Sequence, residues 1–378
     1  MNRREIFDAT MAHKEVGRVL VDQGKQVGSF HKKEYNKVRT VLGLPETDNF
    51  TILDRMNQCV ISDEDVLQAL GIDFRWLIPK WSQVEDVDAE HYRNLFGVLF
   101  RDMGDSYSEV EAPLREAGVE DIENHKWPRT DDREMFAGLK QQAEDWHKNT
   151  DYVIGADGIK GGVFQSAREL RGMDQLFMDF VLNPEFVHAL LAKVTQVYKE
   201  LYTVYLQEVG EYIQILYLTD DFGSQNSLLM SPDMWETFLK PYEKELISHI
   251  KSIVPGVKVM FHTDGSVLPI IDGMIDMGVD ILNPVQTSVE ELMDTKALNE
   301  QYGDRICFHG AIDVQNVMVN ASEDEVRQEV KRRICDLGKG GGYIISTCHQ
   351  INHDIPAENV KAMFEAAHEF GEYPLKCD

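Results

Sequence analysis

Eight times along this chain a short apolar, β-branched run ends on a polar residue, and between the runs apolar residues recur at helical spacing. The runs lie at 19–22, 72–78, 152–157, 213–220, 257–262, 280–283, 306–310 and 343–348. Apolar runs this short, separated by helices, describe parallel strands, because a parallel neighbour needs a crossover that a helix supplies. Eight of them predict an α/β fold closed as a (β/α)8 TIM barrel. An open doubly wound sheet is the rival, but no GxGxxG turn follows the first run. Helix starts agree with this reading. Ser231-Pro232 offers an N-cap and a Pro at N1, opening an amphipathic stretch to about Ile253. Ser322 and Glu325 form a capping box ahead of Val326, Val330 and Ile334, and Pro356 opens a helix carrying Val360, Met363, Phe364 and Ala367. Residues 1–378 are read as a single domain. Its long charged stretch 79–150 is read as a helical insertion after strand two that caps the barrel mouth.

Charge limits what such a barrel can bind. There are 65 Asp and Glu against 38 Lys and Arg, a net −27. Nucleic acid and anionic membrane surfaces both need clustered Lys and Arg, so neither is an expected partner. A highly anionic substrate would need a local basic pocket. The polar N-terminus lacks the apolar core of a signal peptide, and no run of 18 apolar residues occurs, so the expected location is the cytoplasm. The five cysteines, Cys59, Cys307, Cys335, Cys348 and Cys377, are odd in number, scattered and without a CxxC pair. They are not read as a disulfide framework.

In a barrel of this type chemistry sits at the C-terminal strand ends, and here those ends are polar: Asp157, Asp220-Asp221, His262-Thr263-Asp264, Gln286, Asp313 and Cys348-His349. His262 and Asp264 stand two apart, and such residues of a strand project to one side. Together they can hold a divalent ion. Cys348 as thiolate or His349 as imidazole would add a third ligand from strand eight and leave a fourth position open. The alternative is a His–Asp hydrogen bond that orients a catalytic histidine without metal. Asp220 and Asp221 repel each other, so one needs a donor or a raised pKa. They read either as substrate and proton handling or as a turn that caps the next helix. His91, His188 and His368 read as surface or helix residues.

Several segments resemble the uroporphyrinogen-decarboxylase-like superfamily: Asp220-Asp221-Phe222-Gly223-Ser224-Gln225 with Met230-Ser231-Pro232, His262-Thr263-Asp264-Gly265, Asn283-Pro284-Val285-Gln286, Phe308-His309-Gly310-Ala311-Ile312-Asp313, and Pro356-Ala357-Glu358-Asn359. The resemblance is strongest from Asp220 to Tyr373 and implies a (β/α)8 barrel. The superfamily holds cofactor-free decarboxylases of a tetrapyrrole and zinc-dependent methyltransferases that work with a corrinoid protein or a thiol. Decarboxylases carry Arg-Gln-x-Gly-Arg near the N-terminus, whereas this chain has Asp22-Gln23-Gly24-Lys25-Gln26, without either arginine. The chain is more similar to the corrinoid-dependent methyltransferase branch, whose zinc ligands are His-x-Cys and a later Cys. Here the first pair is His262-x-Asp264, and the later slot, counted back from Asn359, falls on His349 beside Cys348.

That substitution implies a harder N/O site, better suited to a Lewis acid on an ether oxygen than to activating a thiol. The resemblance therefore implies a metal, zinc expected, and methyl transfer from a small methylated substrate. A methyl ether is favoured, as in aromatic O-demethylation. The acceptor would be a reduced corrinoid on a partner protein, because the chain lacks an Asp-x-His-x-x-Gly motif. Asp220, Asp221, Gln286 and Asp313 would position substrate or protonate product. Two rivals are a metal-free decarboxylase or lyase with His349 or Asp221 as proton donor, and a non-catalytic corrinoid-protein partner whose mouth is filled by side chains. A homodimer is left open.

Overall fold

The computed structural model describes residues 1–159 and 161–377. All eight runs are strands of one parallel sheet: β1 (Leu20–Val21), β2 (Phe74–Leu77), β3 (Val153–Ala156), β4 (Ile215–Thr219), β5 (Lys258–His262), β6 (Ile281–Asn283), β7 (Cys307–Ile312) and β8 (Tyr343–Thr347). From β2 to β8 each strand pairs with the next in chain order, and β8 returns to β1. At the β1–β2 seam the Asp73 N–H donates to the Val21 carbonyl at 2.9 Å, and the Asp73 carboxylate accepts from the Val21 N–H at 2.9 Å. Arg3 and Arg18 pair with that carboxylate. The result is a nearly closed (β/α)8 TIM barrel.

Strand periodicity divides the barrel interior into two chemistries. The lower layer is apolar, with Leu20, Phe74, Val153, Ile215, Met260, Ile281, Cys307 and Ile344, and is closed below by Ile6 and Phe7 of the helix Arg3–Met11. Two residues further along the strands stand Asp22, Trp76, Tyr217, His262, Asn283, His309 and Ser346, all buried. On β3 this position is Gly155, where a Cβ would lie 2.4 Å from the Trp76 ring, so glycine makes room for the indole. The polar upper layer is the floor of the catalytic end.

The stretch 79–150 contains the expected helical parts, Val119–Asn124 and Leu139–Asn149. Its first half is something the sequence reading did not anticipate: a four-stranded antiparallel meander, Glu85–Asp86, His91–Arg93, Leu99–Asp102 and Tyr107–Glu111. These strands are too short for periodicity to separate them from loop. Their inner side chains pack, with Tyr92 stacked on Phe100 at 5.3 Å between centroids. The turn residue Asp105 meets Lys33 and lies 3.7 Å from His353 in the loop after β8.

Two of the five cysteines are paired. Cys335 and Cys377 are joined as a disulfide across a separation of 42 residues. This is a single bond rather than a framework, and its spacing carries no motif. It forms because the tail beyond the helix Ala357–Phe370 doubles back, the Tyr373 hydroxyl donating to Gly338 O at 2.7 Å. Cys59, Cys307 and Cys348 are free and buried. Among the described residues no helix is long and apolar enough to cross a membrane.

Candidate active site

A cleft of about 420 Å3 opens at the C-terminal strand ends, lined by Asp264, Gln286, Asp313, Cys348, His349 and Asp354 among others, with no Lys or Arg among the described residues of its lining. His262 is the last residue of β5. Asp264 lies past the strand end, yet its carboxylate returns to 3.6 Å from His262 Nε2. His349 Nε2 lies 3.6 Å from the same Asp264 oxygen, and the three ligand atoms fall within 4.8 Å of one another. Asp221 Oδ1 is 3.8 Å from His262 Nε2.

Two neighbouring loops hold this arrangement. The Asp264 N–H donates to Asp221 Oδ1 at 3.0 Å, and the Gly265 N–H donates to Gln286 Oε1 at 2.7 Å. Gly265 has φ +88°, and a Cβ there would lie 2.5 Å from Gly223 backbone. The loops after β4 and β5 therefore pack backbone to backbone, an approach only glycine permits.

The electrostatics prepare a ligand set. Burial opposes ionisation of Asp264, but His262 and His349 on either side overcome it and hold the carboxyl at about 2. Burial also opposes a charged His262, and Asp264 and Asp221 outweigh it, so its pKa is raised. Burial lowers His349, even though 30% of its side chain surface is exposed. His262 Nδ1 faces Asn283 Oδ1 at 2.7 Å. A carbonyl oxygen can only accept, so Nδ1 carries a proton, and Nε2 is the nitrogen that faces Asp264. Two imidazoles and one carboxylate are a donor set that fits zinc, whose ligands in a tetrahedral site stand roughly 3.3 Å apart.

The two strand-eight candidates separate. His349 joins the cluster, whereas Cys348 turns away, its Sγ donating to the Val285 carbonyl at 3.2 Å. Burial pushes that thiol up to about 12, and Cys348 lies outside the His262, Asp264 and His349 cluster. Successive residues at a strand end face opposite ways, and the same parity divides the Asp pair. Asp221 faces His262. Asp220 turns outward, accepting from the N–H groups of Phe164 at 2.6 Å and Gln165 at 2.7 Å. It satisfies the first turn of the helix Val163–Arg171, which is the structural side of the two readings of Asp220. Gln286 anchors the Asp264 loop and also donates to Ser288 Oγ at 3.2 Å. Asp313 lines the cleft, but its carboxylate is engaged by the N–H groups of Gln315 at 2.7 Å and Asn316 at 3.2 Å.

Sequence reading missed three buried groups beneath the cluster: Asn283, His309 and Asp22. Each stands two residues beyond the apolar layer on its strand, and that shared position was the available signal. Lys25, wholly buried, lies 3.3 Å from Asp22 Oδ2. On the far side of the mouth Asp157 is buried between the N–H groups of Gln26 and Gly158, each at 3.0 Å, and burial raises it to about 7. A carboxyl raised on folding favours the folded state below its ordinary pKa and loses that contribution as pH rises through the raised value. The stability of the protein relative to Asp157→Asn is therefore expected to fall between about pH 4 and pH 7. Denaturant titrations of both proteins across that range check the sign; a difference that is flat or rises with pH contradicts it.

Comparison with known proteins bears on this site. The uroporphyrinogen decarboxylase (URO-D) family model matches residues 105–370. The uroporphyrinogen decarboxylase of Trichodesmium erythraeum is 27% identical over 188 residues, 50% of this chain and 48% of that protein. That of Alkalilimnicola ehrlichii is 27% identical over 214 residues, 56% and 53% respectively. The chain thus spans about half the length of the curated relatives it matches. Among solved structures, a methyltransferase from Methanosarcina mazei superposes with a TM-score of 0.67 at 19% identity, over 98% of this chain and 99% of that one, a likeness of fold. With the family model covering well over half of its residues, the chain belongs to the uroporphyrinogen decarboxylase family.

Proposed function

We propose that this chain is a metal-dependent methyltransferase that takes a methyl group from a small methylated substrate, a methyl ether for preference, and passes it to a reduced corrinoid on a partner protein. The observation that carries the reading is the His262, Asp264 and His349 cluster in a cleft at the catalytic end of the barrel. His262, Asp264 and His349 would hold the ion, zinc first among candidates. A divalent ion bound there supplies Lewis acidity toward a substrate oxygen. Asp221 borders the same space and is placed to bind or orient the substrate. Gln286 keeps the Asp264 loop in register, and Asp313 and Asp354 shape an acidic wall that disfavours anionic substrates. The 79–150 insertion, whose Asp105 reaches the loop after β8, frames the mouth where a partner would dock. The name of the Methanosarcina mazei structure supports the reaction class.

The test mixes the protein with methyl ethers, methylamines and a Co(I) corrinoid and follows the cobalt absorption. Methyl-cobalt is expected from an ether and not from an amine. No methylation from any donor, with metal present, moves the reading to a decarboxylase or lyase. The curated relatives favour that second reading. Against it stands the missing arginine pair: Asp22 and Gln26 stand in the two arginine places, and the neighbouring cation, Lys25, is wholly buried against Asp22 and offers nothing to substrate carboxylates in the cleft. No turnover of uroporphyrinogen is expected, and robust turnover would decide for the decarboxylase. A non-catalytic partner would have a filled mouth, and the open cleft speaks against it.

A further inference from the structure

A line of hydrogen bonds crosses the upper layer of the barrel from β1 to β5. Lys25 Nζ lies 3.3 Å from Asp22 Oδ2, and His309 Nε2 meets the same oxygen at 2.9 Å. Asn283 Nδ2 meets His309 Nδ1 at 2.6 Å, and Asn283 Oδ1 meets His262 Nδ1 at 2.7 Å. Asp22, Lys25, Asn283 and His309 have no exposed surface, and His262 has 1%. The line is closed to bulk solvent.

The polarity of every bond follows from one end. Trp76 Nε1–H donates to Asp22 Oδ1 at 2.9 Å, and Lys25 supplies the balancing charge on the other oxygen, so Asp22 is an ionised acceptor. Burial opposes that ionisation, but Lys25 and His309 overcome it and hold Asp22 at about 2. His309 must then donate from Nε2. Burial and the Lys25 charge lower His309 to about 4, so its other nitrogen is a bare acceptor. Only the amide N–H2 of Asn283 can face it, which turns the Asn283 oxygen toward His262 and requires a proton on His262 Nδ1.

We infer that His309 is a positioning residue: acting through Asn283, it holds His262 in the Nδ1–H tautomer with its Nε2 lone pair aimed at Asp264 and His349. Without it the Asn283 amide is free to flip, and His262 can present either nitrogen to the cleft. The tautomer claim stands on the hydrogen bonds alone; its consequence for metal affinity rests on the proposed metal site.

The experiment uses the full chain, metal-free and labelled with 15N-histidine, recorded on the alkaline side of the His262 titration. The His262 signals are identified by their loss in His262→Gln. The Nδ1–H tautomer alone is expected in the unaltered protein. His309→Leu should populate both tautomers and bind zinc about 10- to 100-fold more weakly. His309→Gln, whose amide can accept at Oε1 and donate from Nε2, should restore both readouts. An Nε2–H tautomer in the unaltered protein overturns the inference without any variant. So does a folded His309→Leu that keeps the tautomer, since a merely structural role would lower stability and leave the tautomer alone. Should no form of the protein bind zinc, the tautomer still decides the inference, and the metal reading falls by itself.

Discussion

His262→Ala is expected to bind zinc on the order of 1000-fold more weakly than the unaltered protein. Zinc sites in small domains hold the ion with about 10–16 kcal/mol, and one of three protein ligands carries roughly a third of that. The loss should be close to this full share where no neighbour takes the place of the imidazole: Asp221, at 3.8 Å from His262 Nε2, has one oxygen accepting from the Asp264 N–H, and the Cys348 thiol is turned to Val285. Asp264→Ala should fall by a similar factor and His349→Ala by less, since His349 is partly exposed and a water can fill its place. Competition with a chromophoric chelator measures all three. Equal zinc binding by His262→Ala and the unaltered protein would remove the cluster from consideration as a metal site.

Cys377→Ser is expected to lower folding stability by about 2–4 kcal/mol under oxidising conditions. The bond to Cys335 closes a loop of 42 residues, and its main effect is to restrict the unfolded chain. Reductant should bring the unaltered protein down to the stability of the variant and leave the variant where it was. Denaturant midpoints with and without reductant read this directly; a variant as stable as the oxidised protein contradicts it. The bond also bears on location. The cytoplasm, expected from the polar N-terminus and the acidic balance, is a compartment that keeps thiols reduced. In such a compartment the dithiol form would prevail.

The barrel was legible because its signals are redundant. Each strand is a buried β-branched run closed by a polar residue, and the parallel arrangement follows from the helices between them. The 85–111 meander was not, because its strands are too short to show a period. At the site, residue spacing brought His262 and Asp264 together correctly, although Asp264 lies beyond the strand and is held by the Asp221 and Gln286 side chains. Spacing did not separate Asp220 from Asp221 or Cys348 from His349. That choice depends on which way the chain turns in the single step after a strand. The line from Asp22 to His262 joins residues far apart in sequence that only the closed sheet makes neighbours.

The seam between β1 and β2 gives the barrel a direction in which to fail. Elsewhere neighbouring strands share ladders of paired residues, but here a two-residue strand meets its neighbour through one backbone bond and the Asp73 carboxylate. The guanidinium groups of Arg3 and Arg18 clasp that carboxylate, so the clasp belongs to the first residues of the chain. Partial opening should run along this line as a lengthwise slit, with amide protons bordering it exchanging ahead of those in the opposite wall. Asp22 stands at the upper lip of the slit. A barrel that parts there releases the anchor of the hydrogen-bond line before it disturbs the cleft itself, so the aim of His262 is tied to how firmly the beginning of the chain is held.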